Sequence, residues 1–206
     1  MKWIIVAIFA SVLYPGIACA QLVAWQFGPD TRGDEEIAMS TFEDPYMFGS
    51  ELTRGVGVQR QKATYSFAGI WPECKSFVEA VRKKTFYQFS LKTRKNYRMS
   101  LDRIELILRI QPNGPQEYVF AYSVDGDNYV NVGHPVRVSP TSNDGEIQEP
   151  IDLSTISDLQ NIPSKTRIYF RLYAWDSKDG WENTAFRIGK STSNRPALAV
   201  YGSVEN

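Results

Sequence analysis

The stretch Thr166–Trp175, TRIYFRLYAW, alternates with a period of two. One set consists of the apolar side chains of Ile168, Phe170, Leu172 and Ala174. The other set consists of Arg167, Tyr169, Arg171, Tyr173 and Trp175. Because successive side chains of a β-strand point to opposite faces, this stretch predicts a strand that buries one face in an apolar core.

The same alternation recurs along the chain. In DRIELILRI (102–110), apolar residues fall at every second position from Ile104 to Ile110. Further strand-like runs are VAWQF (23–27), TFYQFSLKT (85–93), EYVFAYSV (117–124), YVNV (129–132), TAFRIG (184–189) and ALAVYGSV (197–204). Short strands separated by turn residues predict an all-β fold, an antiparallel β-sandwich of the jelly-roll type.

Helix signals are sparse, and we expect one or two short helices. Lys75–Lys83 has apolar residues at helical spacing and a favourable pair of opposite charges, Glu79 and Lys83, four residues apart. We expect this helix at one edge or end of the sandwich. Leu153–Leu159 predicts a single helical turn that stops before Pro163.

The first 20 residues have the features of a secretory signal peptide. Lys2 precedes an apolar run, and small residues at Ala18 and Ala20 form a cleavage site. We therefore predict a secreted protein, extracellular or periplasmic, with a single domain over residues 21–206 and no membrane insertion. The alternative is a lipid anchor on Cys19, and we favour the soluble product.

Composition excludes several classes of function. The 23 basic and 23 acidic residues balance and form no basic block, so nucleic acid is a poor candidate partner. His134 is the only histidine, which excludes most histidine-dependent triads and metal sites. Removal of the signal peptide would leave Cys74 as the only cysteine, without a disulfide partner. Composition leaves the oligomeric state open.

Eight segments together resemble a family. In chain order they are VAWQF, LTRGVGV, FYQFSLKT, YSVDGDNY, DLSTISDLQNIPS, TRIYFRLYAW, FRIG and ALAVYGSV. They resemble an uncharacterised domain of secreted and surface proteins of bacteria. The resemblance implies export and a jelly-roll β-sandwich related in shape to galactose-binding-like carbohydrate modules. It implies no catalytic residues.

Two acidic segments raise the question of calcium. Galactose-binding-like modules often hold a structural calcium after the first strand, where this chain has Asp30, Asp34, Glu35 and Glu36. The two hypotheses for this segment are a calcium site and a solvated acidic loop. The second segment, YSVDGDNY (122–129), also offers oxygen ligands, but Asp-Gly between alternating runs is typical of a hairpin, which we favour.

The clearest departure from the resembling family lies between YAW and FRIG. Relatives tend to have a small turn there, whereas this chain carries Asp176, Asp179, Trp181 and Glu182. We predict a ligand site with Trp181 as the aromatic anchor and the three acids as polar partners. Tyr46 and Phe48 are further loop aromatics assigned to ligand binding. The flanking runs are predicted as two adjacent core strands.

Aromatic and arginine side chains on the second face of TRIYFRLYAW form a stripe. We define the aromatic stripe as Arg167, Tyr169, Arg171, Tyr173 and Trp175. It is either a binding face or a surface covered by the long segment Gly28–Gly57.

No predicted strand presents two acids on one face, as a glycosidase cleft would need. Glu105 shares its face with Arg103, and we expect it to pair with Arg103 or with a base on a neighbouring strand. We therefore predict a noncatalytic binding module for a glycan or surface polymer. The first alternative is a structural or adhesion protein that binds another protein through an exposed strand or the aromatic stripe. An unrecognised glycan-active hydrolase is the third.

Overall fold

Two antiparallel β-sheets pack face to face in the computed structural model, which describes residues 19–178 and 183–206. The predicted all-β antiparallel sandwich is confirmed. Every run that the alternation predicted as a strand forms one, because each run has an apolar face that the opposite sheet covers.

The first sheet has ten strands. Their bounds are β1 Ala20–Trp25, β3 Phe42–Glu43, β5 Gln59–Arg60, β6 Ser66–Ile70, β8 Arg98–Ile110, β11 Glu146–Ile147, β12 Ile151–Asp152, β13 Ile162–Pro163, β15 Ala185–Gly189 and β16 Leu198–Glu205. Seven of them follow the order β3-β1-β16-β8-β15-β6-β5, and β11, β12 and β13 also pair with β8.

The second sheet has six strands. Their bounds are β2 Ala38–Met39, β4 Glu51–Arg54, β7 Phe86–Leu91, β9 Glu117–Ser123, β10 Val130–Arg137 and β14 Ile168–Trp175. Their order is β10-β9-β14-β7-β4-β2.

Strand β8 organises the first sheet because it is 13 residues long and pairs along both edges. Along one edge, residues 98–106 of β8 pair with β16 and residues 108–110 pair with β15. On this edge the Ile107 N–H donates to the Ala197 carbonyl and the Gln111 N–H donates to the Ala185 carbonyl. The other edge takes β11, β12 and β13 in succession. Strands β15 and β16 therefore lie end to end, and the connection 190–197 leaves the sheet at their junction.

The prediction that YFRLYAW and FRIG form adjacent strands is wrong. Strand β14 belongs to the second sheet, where β7 and β9 occupy both of its edges, and β15 belongs to the first sheet. With both edges of β14 already paired, the chain crosses between the sheets before it forms β15. Alternation within a strand shows which face is buried, but it does not show which strands are neighbours.

Helix α1 spans Phe77–Lys83 and confirms the predicted helix. The Ser76 side chain caps its first turn by accepting from the Glu79 N–H, and Glu79 forms the expected ion pair with Lys83 at 2.7 Å. The helix lies on the outer face of the second sheet, where the Phe77 ring packs against Tyr173 and Trp175, rather than at an edge or end. The second predicted helical turn is a 3-10 turn, Ser157–Leu159.

The segment YSVDGDNY forms the hairpin that connects β9 and β10, as predicted. One oxygen of Asp125 accepts from the backbone N–H groups of Asp127 and Asn128 and from the Ser123 hydroxyl, while the other accepts from the Asn128 amide. These hydrogen bonds, those from Asn128 first, hold the pKa of the Asp125 carboxyl well below its usual range. Gly126 supplies the positive φ, 88°, that the turn requires.

Residues 1–18, most of the predicted signal peptide, lie outside the described part of the chain. Cys19 is exposed, and Ala20, after which we predict cleavage, is the first residue of β1. Across the ranges 19–178 and 183–206, no helix is both long enough and apolar enough to span a bilayer.

Candidate functional site

Only part of the predicted ligand site after β14 can be located. Asp179, Trp181 and Glu182 lie outside the described residues. Asp176 has a positive φ of 61°, its N–H donates to the Cys74 carbonyl, and its carboxylate lies 3.7 Å from the Arg137 guanidinium.

Tyr46 and Phe48 are exposed by 43% and 42% of their surface and lie at the other end of the second sheet from Asp176. Tyr46 stacks on Tyr97 with ring centroids 4.2 Å apart, and Arg94 lies over the Phe48 ring. Strand β7 ends next to this pair, whereas Asp176 follows the end of β14 that pairs with the start of β7. The six residues of β7 lie between the two groups, so at about 3.3 Å per residue they are roughly 20 Å or more apart and do not share one rim.

The side chain of Arg54, from strand β4, reaches into the acidic segment. Its guanidinium donates to the carbonyls of Gly33, Glu35 and Ala68 at 2.5 to 2.8 Å and stacks on the Phe67 ring at 3.5 Å. A cation held by backbone carbonyls is the arrangement expected of a structural ion, and here an arginine side chain provides it.

The four acids proposed as calcium ligands do not converge. Asp34 binds Arg32, Glu35 accepts from the Arg32 N–H, and Asp30 and Glu36 are exposed. Within the described residues, no group of three or more His, Cys, Asp or Glu side chains is placed to hold a metal ion. Calcium binding here stays a prediction that a chelator titration of thermal stability can test.

The aromatic stripe is largely covered by helix α1 and by Tyr129, not by the long segment Gly28–Gly57. Tyr173 and Trp175 are buried beneath Phe77. Arg171 lies between the rings of Phe86 and Tyr129, at 4.3 and 3.8 Å from their centroids. Tyr173, Trp175 and Phe86 belong to a second, smaller hydrophobic cluster against which Phe77 and Tyr129 pack, so this part of the stripe has a structural role.

A groove on the outer face of the first sheet combines the groups that sugar recognition uses. We call it the outer groove, and its volume is about 290 Å³. Glu105, Leu106, Ile107, Ile147, Gln148, Pro150, Arg195, Pro196, Ala199 and Tyr201 line it. An aromatic ring, proline and isoleucine surfaces, a carboxylate, a carboxamide and a guanidinium therefore border one concave surface.

The pairing of β8 with β16 forms the floor of the outer groove. Ala199 lies directly opposite Glu105, and Tyr201 lies opposite Arg103. Because the Ala199 side chain is small, the groove is deeper at this position than beside its larger neighbours. The segment from Ile147 to Pro150 forms one wall because Gln148 N–H donates to the Leu106 carbonyl. The connection 190–197 supplies the other wall.

Electrostatic contacts fix the side chains at one end of the groove. Arg103 donates to Glu105 at 3.0 Å and to Asp102 at 2.7 Å, and its guanidinium stacks over the Tyr201 ring at 4.1 Å. Partial burial, and after it the Glu105 carboxylate, raises the pKa of the Tyr201 phenol. Tyr201 and Glu105 are thus held in place before any ligand binds, which lowers the entropic cost of binding.

The expected pair of Glu105 with Arg103 is confirmed. Asp102, the other acid bound to Arg103, lines a separate depression and not the outer groove. Arg103 lies between the two carboxylates and pairs with both. They therefore form an ion-paired network rather than the open acid pair that glycoside hydrolysis needs.

The outer groove was not predicted from the sequence. Alternation in ALAVYGSV places Ala199 and Tyr201 on the face opposite Leu198 and Val200, which was a usable signal. Nothing in the sequence showed that the 141–163 segment pairs along β8 and forms a wall beside the face that carries Ala199 and Tyr201.

No protein-family model matches the chain, and no curated protein and no solved structure gives a significant match. The β-sandwich is compatible with the family resemblance but does not establish membership.

Proposed function

We propose that this chain is a secreted, noncatalytic β-sandwich module that binds a glycan through the outer groove. The observation that carries the proposal is the composition of this groove, in which Tyr201, Glu105, Gln148 and Arg195 border one concavity. An aromatic ring packs against the apolar face of a pyranose, while carboxylate, amide and guanidinium groups bond its hydroxyls.

The size of the groove suits a short stretch of a sugar chain. Its volume lies near the lower end of the roughly 300 to 1,000 Å³ of typical ligand pockets. It is open at the surface of the sheet between the two walls, so a longer polymer can extend past it. Export to the cell surface or beyond, as the signal peptide predicts, would place the module next to such polymers.

A glycan array probed with the purified protein tests the proposal. We expect binding by the wild type, a loss of at least tenfold in affinity for Tyr201→Ala, and a clear loss for Glu105→Gln. Tyr46→Ala is the matched control, because it removes a partly exposed tyrosine that does not line the outer groove. Circular dichroism checks that each variant is folded. Negligible wild-type binding, or equal losses for Tyr46→Ala and Tyr201→Ala, would contradict the proposal.

A protein-binding role is the second candidate. Among the described residues, five of the eleven exposed large hydrophobic side chains lie in one short segment: Ile37, Met39, Phe42, Tyr46 and Phe48. Exposed apolar side chains concentrated in this way are typical of interaction surfaces. This candidate predicts no glycan affinity, so the same array distinguishes the two functions.

A further inference from the structure

The outer groove continues into a second depression along the same sheet. Ile107, Ile147 and Arg195 line both of them. The second depression has a volume of about 510 Å³, and Asp144, Lys190, Ser191, Thr192 and Asn194 border it. We call it the basic section. A ligand that fills the outer groove therefore has a continuous path past Arg195 into the basic section.

Four cationic side chains gather at the basic section. Lys190 and Arg195 line it. Next to it, Arg109 on β8 donates to the Lys190 carbonyl, and Arg187 on β15 lies directly opposite Arg109 in the sheet. Like charges at directly opposite positions are destabilising, so folding alone gives no reason for this placement.

The hydrogen bonds of these cations go to neutral acceptors. Arg187 donates to the Gln61 amide oxygen, Arg109 donates to the Asn143 amide oxygen and to backbone carbonyls, and Lys190 donates to the Asn194 amide oxygen. In the described part of the chain, none of the four has a carboxylate within ion-pair distance. The buried Arg109 Nε has no hydrogen-bond partner.

The electrostatic environment agrees with this geometry. Burial, and after it the neighbouring Arg195, lowers the pKa of the Lys190 amine. Burial and then the facing Arg109 lower the pKa of the Arg187 guanidinium. Asp144 partly offsets the effect of burial on the pKa of Arg109, and its carboxylate also accepts from the Ser191 hydroxyl. The basic section is therefore a region of excess positive charge on a chain whose overall charge is balanced.

We propose that the glycan is an acidic polysaccharide whose anionic groups bind the basic section while an adjoining sugar ring occupies the outer groove. This inference rests on the proposed glycan-binding function. Arginine and lysine form strong, charge-assisted hydrogen bonds with carboxylate and sulfate oxygens. Ser191, Thr192 and Asn194 supply the neutral donors and acceptors that sugar hydroxyls require.

Calorimetric titration of the purified protein with three polymers tests this inference. They are polygalacturonate, the neutral polymer obtained by reducing its carboxyl groups, and a sulfated glycosaminoglycan. We expect binding of polygalacturonate, little binding of its reduced form, and an affinity that falls as salt concentration rises. The glycosaminoglycan shows whether the basic section accepts sulfate in place of carboxylate.

Arg195→Ala should weaken polygalacturonate binding about tenfold because an exposed charged donor is lost. Lys95→Ala, an equal charge change at an exposed position in the β7–β8 connection, should leave it unchanged. Equal binding of the acidic and reduced polymers would overturn the inference and leave glycan binding intact. Binding of neither polymer nor the glycosaminoglycan would overturn both. Equally tight binding of duplex DNA would also overturn the inference, because it would indicate nonspecific attraction of polyanions.

Discussion

Arg54, the last residue of β4, is the charged side chain that binds the long segment between β1 and β4. Its three hydrogen bonds join Gly33 and Glu35 to Ala68, so one guanidinium connects this segment to strand β6. Burial lowers its pKa, but a guanidinium remains charged at any physiological pH. The neighbouring acids could be recognised in the sequence and the role of Arg54 could not, because a sequence does not show which backbone carbonyls accept hydrogen bonds.

Replacing Arg54 should loosen this segment. We expect Arg54→Lys to lower the free energy of unfolding by roughly 2–4 kcal/mol, since a single ammonium cannot reproduce the planar set of donors. Arg60→Lys, an exposed position on β5, is the control and should change little. Chemical denaturation measures both. Equal stabilities for Arg54→Lys and wild type would show that the hydrogen bonds contribute nothing.

Asp125 stabilises the β9–β10 hairpin in its ionised form. Its folded pKa is depressed, so its contribution is complete above the unfolded value of about 4 and is lost as the pH falls through the lower folded value. Asp125→Ala should therefore lower Tm at pH 7, and its deficit relative to wild type should shrink as the pH falls below about 4. Asp127→Ala is the control, because only its backbone takes part in the turn network. A deficit that is constant from pH 7 to pH 2 would contradict this account.

At the scale of elements, helix α1 determines which outer sheet face a ligand can reach. It covers Tyr173 and Trp175 on the second sheet, and the outer face of the first sheet has no such helix among the described elements. Periodicity and the Glu79–Lys83 spacing predicted the helix, which begins two residues after the predicted Lys75 and ends at the predicted Lys83. Its docking position could not be predicted, because that depends on which strands of the second sheet lie beneath it.

The Phe77 ring makes the contacts that hold helix α1 over Tyr173 and Trp175. Phe77→Ala should destabilise the protein by about 1–3 kcal/mol, less than the cost for a fully buried phenylalanine, and should shift tryptophan emission to longer wavelength as Trp175 gains water. Val78→Ala is the matched control on the same helix, because Val78 is 77% exposed. Unchanged emission with Phe77→Ala would mean that the helix does not protect this surface.

At the scale of the whole molecule, period-two alternation was sufficient to predict the sandwich, because each run of TRIYFRLYAW type needs an opposite sheet to cover its apolar face. The arrangement of strands within the sheets was not predictable. Strands β14 and β15 show this, since they are neighbours in sequence and lie in different sheets. The outer groove could not be predicted for the same reason, because its walls come from segments about 50 residues apart in sequence that lie on either side of the β8–β16 pair.

Chemical-shift mapping on the isotope-labelled purified protein, titrated with a short oligogalacturonate, tests the central claim most directly. We predict that the largest changes in backbone amide signals fall at Glu105, Gln148, Arg195 and Tyr201 and extend to Lys190–Asn194. Signals of Tyr46 and Phe48 should stay in place. Saturable shifts concentrated at residues 176–184 or 46–48, or an absence of shifts at every ligand concentration, would contradict binding of an acidic glycan in the outer groove.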